Sequence, residues 1–294
     1  MASDLSENKV ELEVAALGPD AVLPVTIVRP SRGWTSLDLR EFWEFRELLG
    51  FLVWRDLKVR YKQTVLGVAW VVLQPFFTML VFTAVFGKLV RMPSDGVPYA
   101  LFSLTGLVPW MFFAHGLSQV SNSVVSNQEL VRKVYFPRLA LPLSAVLSDL
   151  VDLALSFAML LCVMAFFSLV PNPKILLLPL LVALAIVTAL GTGLWLAALN
   201  VRYRDVRHIV PFLTQIWLFL TPVAYPSSLL GEPWRTLYGL NPMAGVVEGF
   251  RWALLGTATA PGPLIAVSAT VAALVLLGGI AFFRRTETSF ADVI

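Results

Sequence analysis

Charge is scarce in this sequence. Charged side chains make up 14% of the 294 residues and hydrophobic ones 57%, whereas ordinary soluble domains carry roughly 25% charged residues. With mean hydropathy at +0.77, water cannot solvate most of the surface, and the chain must bury apolar area in lipid. The lone Cys162 excludes an internal disulfide and any thiolate metal cluster. Only His115 and His208 are present, and G-x-x-x-x-G-K-[ST], H-E-x-x-H and G-x-S-x-G are all missing. Nucleotide binding by a P-loop, metal catalysis and triad catalysis therefore have no residues to stand on. The net charge of +3 is spread thinly, with no basic stripe interleaved with aromatics, so nucleic acid is not an expected partner.

Long apolar runs are what the chain has in abundance. A spanning helix needs about 20 mostly apolar residues to cross a hydrocarbon core of about 30 Å. Six segments meet that: 65–87, 99–121, 141–168, 175–199, 209–225 and 263–283. Arg55, Lys58, Arg60, Lys62, Arg132, Lys133, Arg138, Arg202, Arg204, Arg207, Arg284 and Arg285 flank these runs on one side. Only Lys88, Arg91, Lys174, Arg235 and Arg251 flank them on the other. The cationic side is cytoplasmic, so both termini are expected there, as an even number of spans requires. The fold class is all-α integral membrane. Residues 1–33 carry both charge signs and Pro19, Pro24 and Pro30. Without the apolar run of a signal peptide they are expected to be a polar cytoplasmic tail.

Residues 34–64 form a separate unit before the transmembrane domain at 65–294. Thr35 and Asp38 have capping-box spacing. Trp54, Leu57 and Tyr61 make an apolar stripe beside the basic Arg55, Lys58 and Lys62, and Asp56 and Arg60 are spaced to pair at i,i+4. This pattern predicts an amphipathic helix in the cytoplasmic interface, rings in the acyl boundary and cations toward lipid phosphates. Ser126 and Glu129 repeat the capping-box spacing in the cytoplasmic loop, and Pro137 ends any helix there. Glu129 and Lys133 are i,i+4, with Leu130, Val131 and Val134 on one side. The 126–136 segment reads either as a surface turn or as a short helix offered to a partner. In the long outer loop, Asn241-Pro242 predicts a helix start and Gly256 its end, with Met243, Val246, Val247, Phe250 and Leu254 on one face. Such a helix is too short to span. It lies on the outer face or dips into the protein.

Within the spans, Trp70, Gln74 and Phe77 share a face of the first, which Pro75 should kink. Trp110, His115 and Gln119 lie in the second, and Gln215, Trp217 and Thr221 in the fifth. As a set these polar and aromatic groups are candidates to line a wet path. Singly, each aromatic reads rather as helix packing with its ring toward lipid. Asp149 and Asp152 lie on one face of the third span, costly in lipid. A structural role, facing water or a nearby Arg, competes with proton coupling. Ala185, Ala189, Gly193 and Ala197 recur every fourth residue in the fourth span and favour close helix packing.

Four stretches share one family pattern: RDLKVRYKQTVLGVAWVVLQP at 55–75, NQELVRKVYFPRLALP at 127–142, NVRYRDVRHIVPFLTQIWLFLTPVAYP at 200–226 and LNPMAGVVEGFRWALLG at 240–256. In order and spacing they resemble the permeases of the type-two ABC exporter family that export bacterial polysaccharides. The resemblance implies a homodimer in the bacterial inner membrane, each copy bound to an ATPase subunit that holds ATP and Mg. It implies a lipid-linked polysaccharide of the O-antigen, capsule or teichoic acid kind as substrate. It makes Glu129, Leu130, Arg132 and Lys133 the ATPase-coupling contacts. Arg55, Lys58, Arg60 and Lys62 become the lipid or pyrophosphate contacts of the interface helix. Trp70, Gln74, Phe77, Trp110, Gln215 and Trp217 become the channel lining, and Asn241, Pro242 and Phe250 part of an outer gate. The same architecture carrying another lipid or a drug is an alternative. An integral-membrane enzyme acting on lipid-linked sugars is a more distant one.

Overall fold

The computed structural model describes residues 45–62, 67–134, 136–256, 260–287 and 290, and every regular element among them is helical. The tail at 1–33, the Thr35–Asp38 capping box and the start of the first span at residues 65–66 lie outside the described residues. Helix α1 is Arg46–Lys62, and α2 is Gly67–Phe82, prolonged by a π-helical stretch, Thr83–Leu89. Then come α3, Tyr99–Ser126, the short α4, Gln128–Lys133, and α5, Ala140–Phe166. A 3-10 turn at Pro173–Leu177 leads into α6, Leu178–Arg202. The chain continues through α7, Val206–Phe219, α8, Trp234–Leu237, α9, Pro242–Leu255, and α10, Gly262–Glu287.

Five of these stretches are long and apolar enough to cross a membrane: Gly67–Leu89, Tyr99–Ser126, Ala140–Phe166, Pro173–Arg202 and Gly262–Glu287. They match five of the six runs read from the sequence to within a few residues. The sixth differs. The 209–225 run is not one spanning helix, because α7 has 14 residues, about 21 Å of rise. Pro222 ends the helix by disfavouring helical backbone at Thr221 and by lacking an N–H of its own. Pro75, by contrast, lies inside α2 without ending it.

Two apolar cores mark the two ends of the bundle. One gathers Leu52 of α1, Val124 at the end of α3, Val131 of α4, Leu141 at the start of α5, Val201 at the end of α6 and Phe283 near the end of α10. This is the end flanked by the twelve cations. The larger core runs through the rest of the bundle and takes in Leu101 and Leu104 of α3, Leu178 and Leu181 of α6, Val223, and Met243 and Val247 of α9. The segment after α6 travels between these ends. Asn200 donates to the Ser121 carbonyl at 2.9 Å, near the cationic end of α3. The Ala224 carbonyl accepts from Tyr99 at the opposite end of the same helix, at 2.6 Å. Tyr99 and Ser121 are about 33 Å apart along α3.

The small-residue stripe on α6 packs as expected. Ala185, Ala189 and Ala197 are buried, and α6 lies against α3 and α10. Gly193 leaves no room for a side chain against Val120, and Gly191, two residues earlier, leaves none against backbone: a Cβ there would stand 2.8 Å from the Leu276 nitrogen. Close packing of helix backbones substitutes for the hydrophobic driving force that lipid does not supply.

Candidate functional site

The turn at 126–136 is built first from its anchor. Val131 is buried in the inner core, while Glu129, Arg132 and Lys133 are exposed and Leu130 is half-buried. A two-turn helix is thus fixed on one side and presents charge on the other. The expected capping box is not what starts it. Ser126 ends α3, its hydroxyl donating back to the Asn122 carbonyl at 2.9 Å, and α4 starts from Asn127 with no side-chain cap. Four-residue back-bonding competes with capping for Ser hydroxyls, and here it wins. Of the apolar side expected at Leu130, Val131 and Val134, Val131 is buried and Val134 is exposed. Lys133 and Glu129 pair at 2.7 Å, both in solvent.

Helix α1 is tied to α5 by ions. Arg60 reaches Asp152 at 2.6 Å and Asp149 at 2.7 Å. Tyr61 donates to the other oxygen of Asp152. His115 Nδ1 of α3 stands 3.1 Å from Asp149, which is 1% exposed. Asp149 is held by charge, since neither approach to it has hydrogen-bond alignment. Burial works to lower the Arg60 pKa, but the two carboxylates outweigh it and hold it above its ordinary value. Burial also raises Tyr61, and its bond to Asp152 adds to the rise. His115, Asp149 and Asp152 place ligand atoms within 4.8 Å of one another, a spacing open to a metal ion. They fit one poorly, because the Arg60 guanidinium already occupies the space between the two carboxylates and pairs with both. Asp149 and Asp152 therefore pair with a nearby Arg.

The four candidate cations of α1, Arg55, Lys58, Arg60 and Lys62, consequently have different surroundings. Arg60 is engaged as described. Arg55 is bonded to Asp56 at 2.7 Å, Lys58 lies 4.4 Å over the exposed Trp54 ring, and Lys62 is exposed. Among the aromatic candidates, Trp70, Gln74 and Phe77 stand exposed along α2, and Gln215 is exposed on α7. Trp110 is 4% exposed within this chain. Its ring packs on Phe113, which packs on Trp217.

The outer elements carry the densest polar network. Asn241 caps α9 by accepting from the Met243 N–H at 3.1 Å, with Pro242 as the first helical residue. Its oxygen also takes the Trp217 indole N–H at 2.9 Å, and its amide donates to the Leu220 carbonyl at 2.9 Å and to Thr221 at 3.0 Å. One side chain thus starts α9 and finishes α7. Gly256 closes α9 in the left-handed region at φ 66°, where a Cβ would be strained. The helix is not one-faced: Pro242 through Arg251 are all buried. It does not lie on the outer face but packs against α3, α6 and α10. Ser268 of α10, bonded to Gly239, marks its deep end, and Leu254, whose carbonyl accepts from Asn172 beyond α5, its shallow end.

The sequence reading counted Arg251 as an outer flank cation. The structure buries it to 1% exposure. Its guanidinium donates to the carbonyls of Pro222 at 2.5 Å, Val223 at 2.7 Å, Phe102 at 3.3 Å and Tyr225 at 3.4 Å, and to Glu248 at 2.9 Å. It also stacks 3.6 Å from the Phe102 ring centroid. The available signal was a Glu and an Arg three apart in an otherwise apolar helix, a pair that lipid or a buried site tolerates only as a unit.

These features define a helical membrane protein with five candidate spans, an anchored short turn at one end of the bundle and a buried half-helix at the other. Residues 47–255 match the family model for the ABC-2 type transporter, and the chain belongs to that family, as a membrane permease subunit rather than a catalytic one. The chain is 33% identical to the O-antigen export system permease protein RfbA of Myxococcus xanthus over 260 residues, covering 87% of this chain and 98% of that one. It is 24% identical to the protein of the same name from Klebsiella pneumoniae, over 84% of this chain and 95% of that one. It is 23% identical to the polysialic acid transport protein KpsM of Escherichia coli, over 79% and 91%.

Proposed function

We propose that this chain is the membrane half of a homodimeric exporter that moves a lipid-linked, O-antigen-like polysaccharide from the cytoplasm across the bacterial inner membrane. Two ATPase subunits, carrying ATP and Mg, drive it. The observation that carries the ATP-linked part is α4. It is anchored by Val131 in the inner core and directs Glu129, Arg132 and Lys133 outward, in a chain that has no nucleotide loop of its own. The polysaccharide follows from the likeness to O-antigen export permeases, which match over nearly their whole length.

The chain makes six crossings in this reading. The sixth is made by α7 together with the non-helical residues 220–225. Its support is the pair of contacts at opposite ends of α3, Asn200 to Ser121 and Tyr99 to Ala224. Both termini then lie in the cytoplasm. Glu129, Leu130, Arg132 and Lys133 contact the ATPase. Arg55, Lys58 and Lys62 meet lipid phosphates or a pyrophosphate, while Arg60 holds α1 to α5. Trp70, Gln74, Phe77 and Gln215 line the path between copies, with Trp110 and Trp217 behind them. Asn241, Pro242 and Phe250 belong to the outer gate.

Reconstitution of the chain with its ATPase partner provides the test. Liposomes should move a lipid-linked glycan only with hydrolysable ATP. Movement without hydrolysis, or ATP-driven movement of other lipids with no glycan transport, rejects this reading.

A further inference from the structure

Residues 220–226 leave α7 and run without regular helix at membrane depth, where each carbonyl must find a protein donor. Arg251 supplies three of them, to the carbonyls of Pro222, Val223 and Tyr225. We propose that Arg251 is the positioning residue of the outer gate, a clasp that holds the end of α7 to α9 and α3 and keeps the outer mouth shut until α7 moves. The inference rests on the exporter reading for the claim that α7 borders the path.

Three observations carry it. First, the guanidinium fork joins three separate elements: the carbonyl and ring of Phe102 on α3, the carbonyls of Pro222 and Val223 after α7, and Glu248 on α9. A planar five-donor group suits this as a single ammonium would not. Second, space has been cleared for it. A Cβ on Gly106 would stand 2.9 Å from Arg251 Nη2, so the nearest turn of α3 lacks a side chain where the guanidinium sits. Third, the charge is neutralised locally by Glu248, which also lies 3.4 Å from the Ser227 N–H. The clasp is therefore a closed unit. It cannot let residues 222–225 shift outward without surrendering several charge-assisted bonds together. Tyr99, bonded to the Ala224 carbonyl at 2.6 Å, is a weaker second tie on the same segment.

The test uses the full permease with its ATPase partner in liposomes loaded with a small anionic fluorophore, without ATP. R251M/E248Q removes the clasp while leaving no buried charge alone. R251K keeps the charge but not the fork. Gly106→Ala presses a methyl on the guanidinium with no charge change. The expected result is resting leak raised about tenfold in R251M/E248Q, the shift from losing a few bonds in a gate equilibrium, with R251K and Gly106→Ala between it and the parent. Amides of 220–229 should exchange hydrogen faster while those of α10 do not, and glycan moved per ATP hydrolysed should fall. A purely structural role would lower the unfolding temperature and leave leak and that ratio unchanged, which overturns the proposal. Should R251M/E248Q fail to assemble, unchanged leak in both R251K and Gly106→Ala overturns it equally. Failure of the exporter reading is separate: the parent would move no glycan, while the leak differences persist.

Discussion

At the residue scale, ionic side chains in this chain act as fasteners. Arg60 links α1 to Asp149 and Asp152. Removing it by Arg60→Met strands Asp149, which is 1% exposed, as a buried charge whose remaining neighbour is His115. Truncating one partner of a buried pair costs about 3–5 kcal/mol. Thermal unfolding in detergent should show a lowered midpoint for Arg60→Met and substantial recovery in the triple variant that adds D149N and D152N. No recovery would mean that Arg60 matters for packing rather than charge. Asn241 is a comparable fastener, because one amide starts α9 and finishes α7. Asn241→Asp keeps the cap oxygen but loses both donor bonds. It should therefore retain the helicity of α9 while speeding hydrogen exchange at 220–221. Equal exchange in parent and variant would remove the amide from that role.

At the element scale, the decisive features are how short helices are held and how closely long ones approach. α4 has six residues, too few for an isolated helix to persist in water. Its Val131 anchor makes it a fixed surface. Charge reversal at both Glu129 and Arg132 should uncouple the ATPase, leaving hydrolysis without transport, whereas the Glu129→Lys and Lys133→Glu exchange preserves the local pair. Unchanged transport per ATP in the reversal variant would exclude these side chains from coupling. On α6, Gly191→Ala puts a methyl against the backbone of Leu276. Backbone cannot rotate away as a side chain can, so α6 and α10 must separate at a cost of about 1–3 kcal/mol. A lowered unfolding midpoint is the expected readout.

At the scale of the whole molecule, the reading turns on the number of crossings. Five stretches are long and apolar enough to span, and five would put the termini on opposite sides. The ends of α3, α6 and α10 instead share one apolar core with α1. Single cysteines in a Cys162→Ser background decide the matter. Sites at 94, 174 and 231 should label with an impermeant thiol reagent from outside, and sites at 127, 204 and 286 only after the membrane is opened. Positions 204 and 231 labelling from the same side would eliminate the sixth crossing.

The sequence by itself determined the solvent, the helical class, five spans to within a few residues and the Asn241-Pro242 to Gly256 half-helix. Each follows from a rule that acts over one element or its flanks: apolar length, capping and the left-handed preference of glycine. The tertiary structure decided what depends on contacts between distant residues. It assigned Arg60 to Asp149 and Asp152, 89 and 92 positions away, where local spacing pointed to Asp56. It turned Ser126 back on its own helix and cut α7 short at Phe219. It also moved Arg251 from the outer flank into the protein, 149 positions from the carbonyl of Phe102 that it binds. The Glu248–Arg251 spacing is local, but the carbonyls that hold the guanidinium come from Phe102 and residues 222–225, which only folding brings to it.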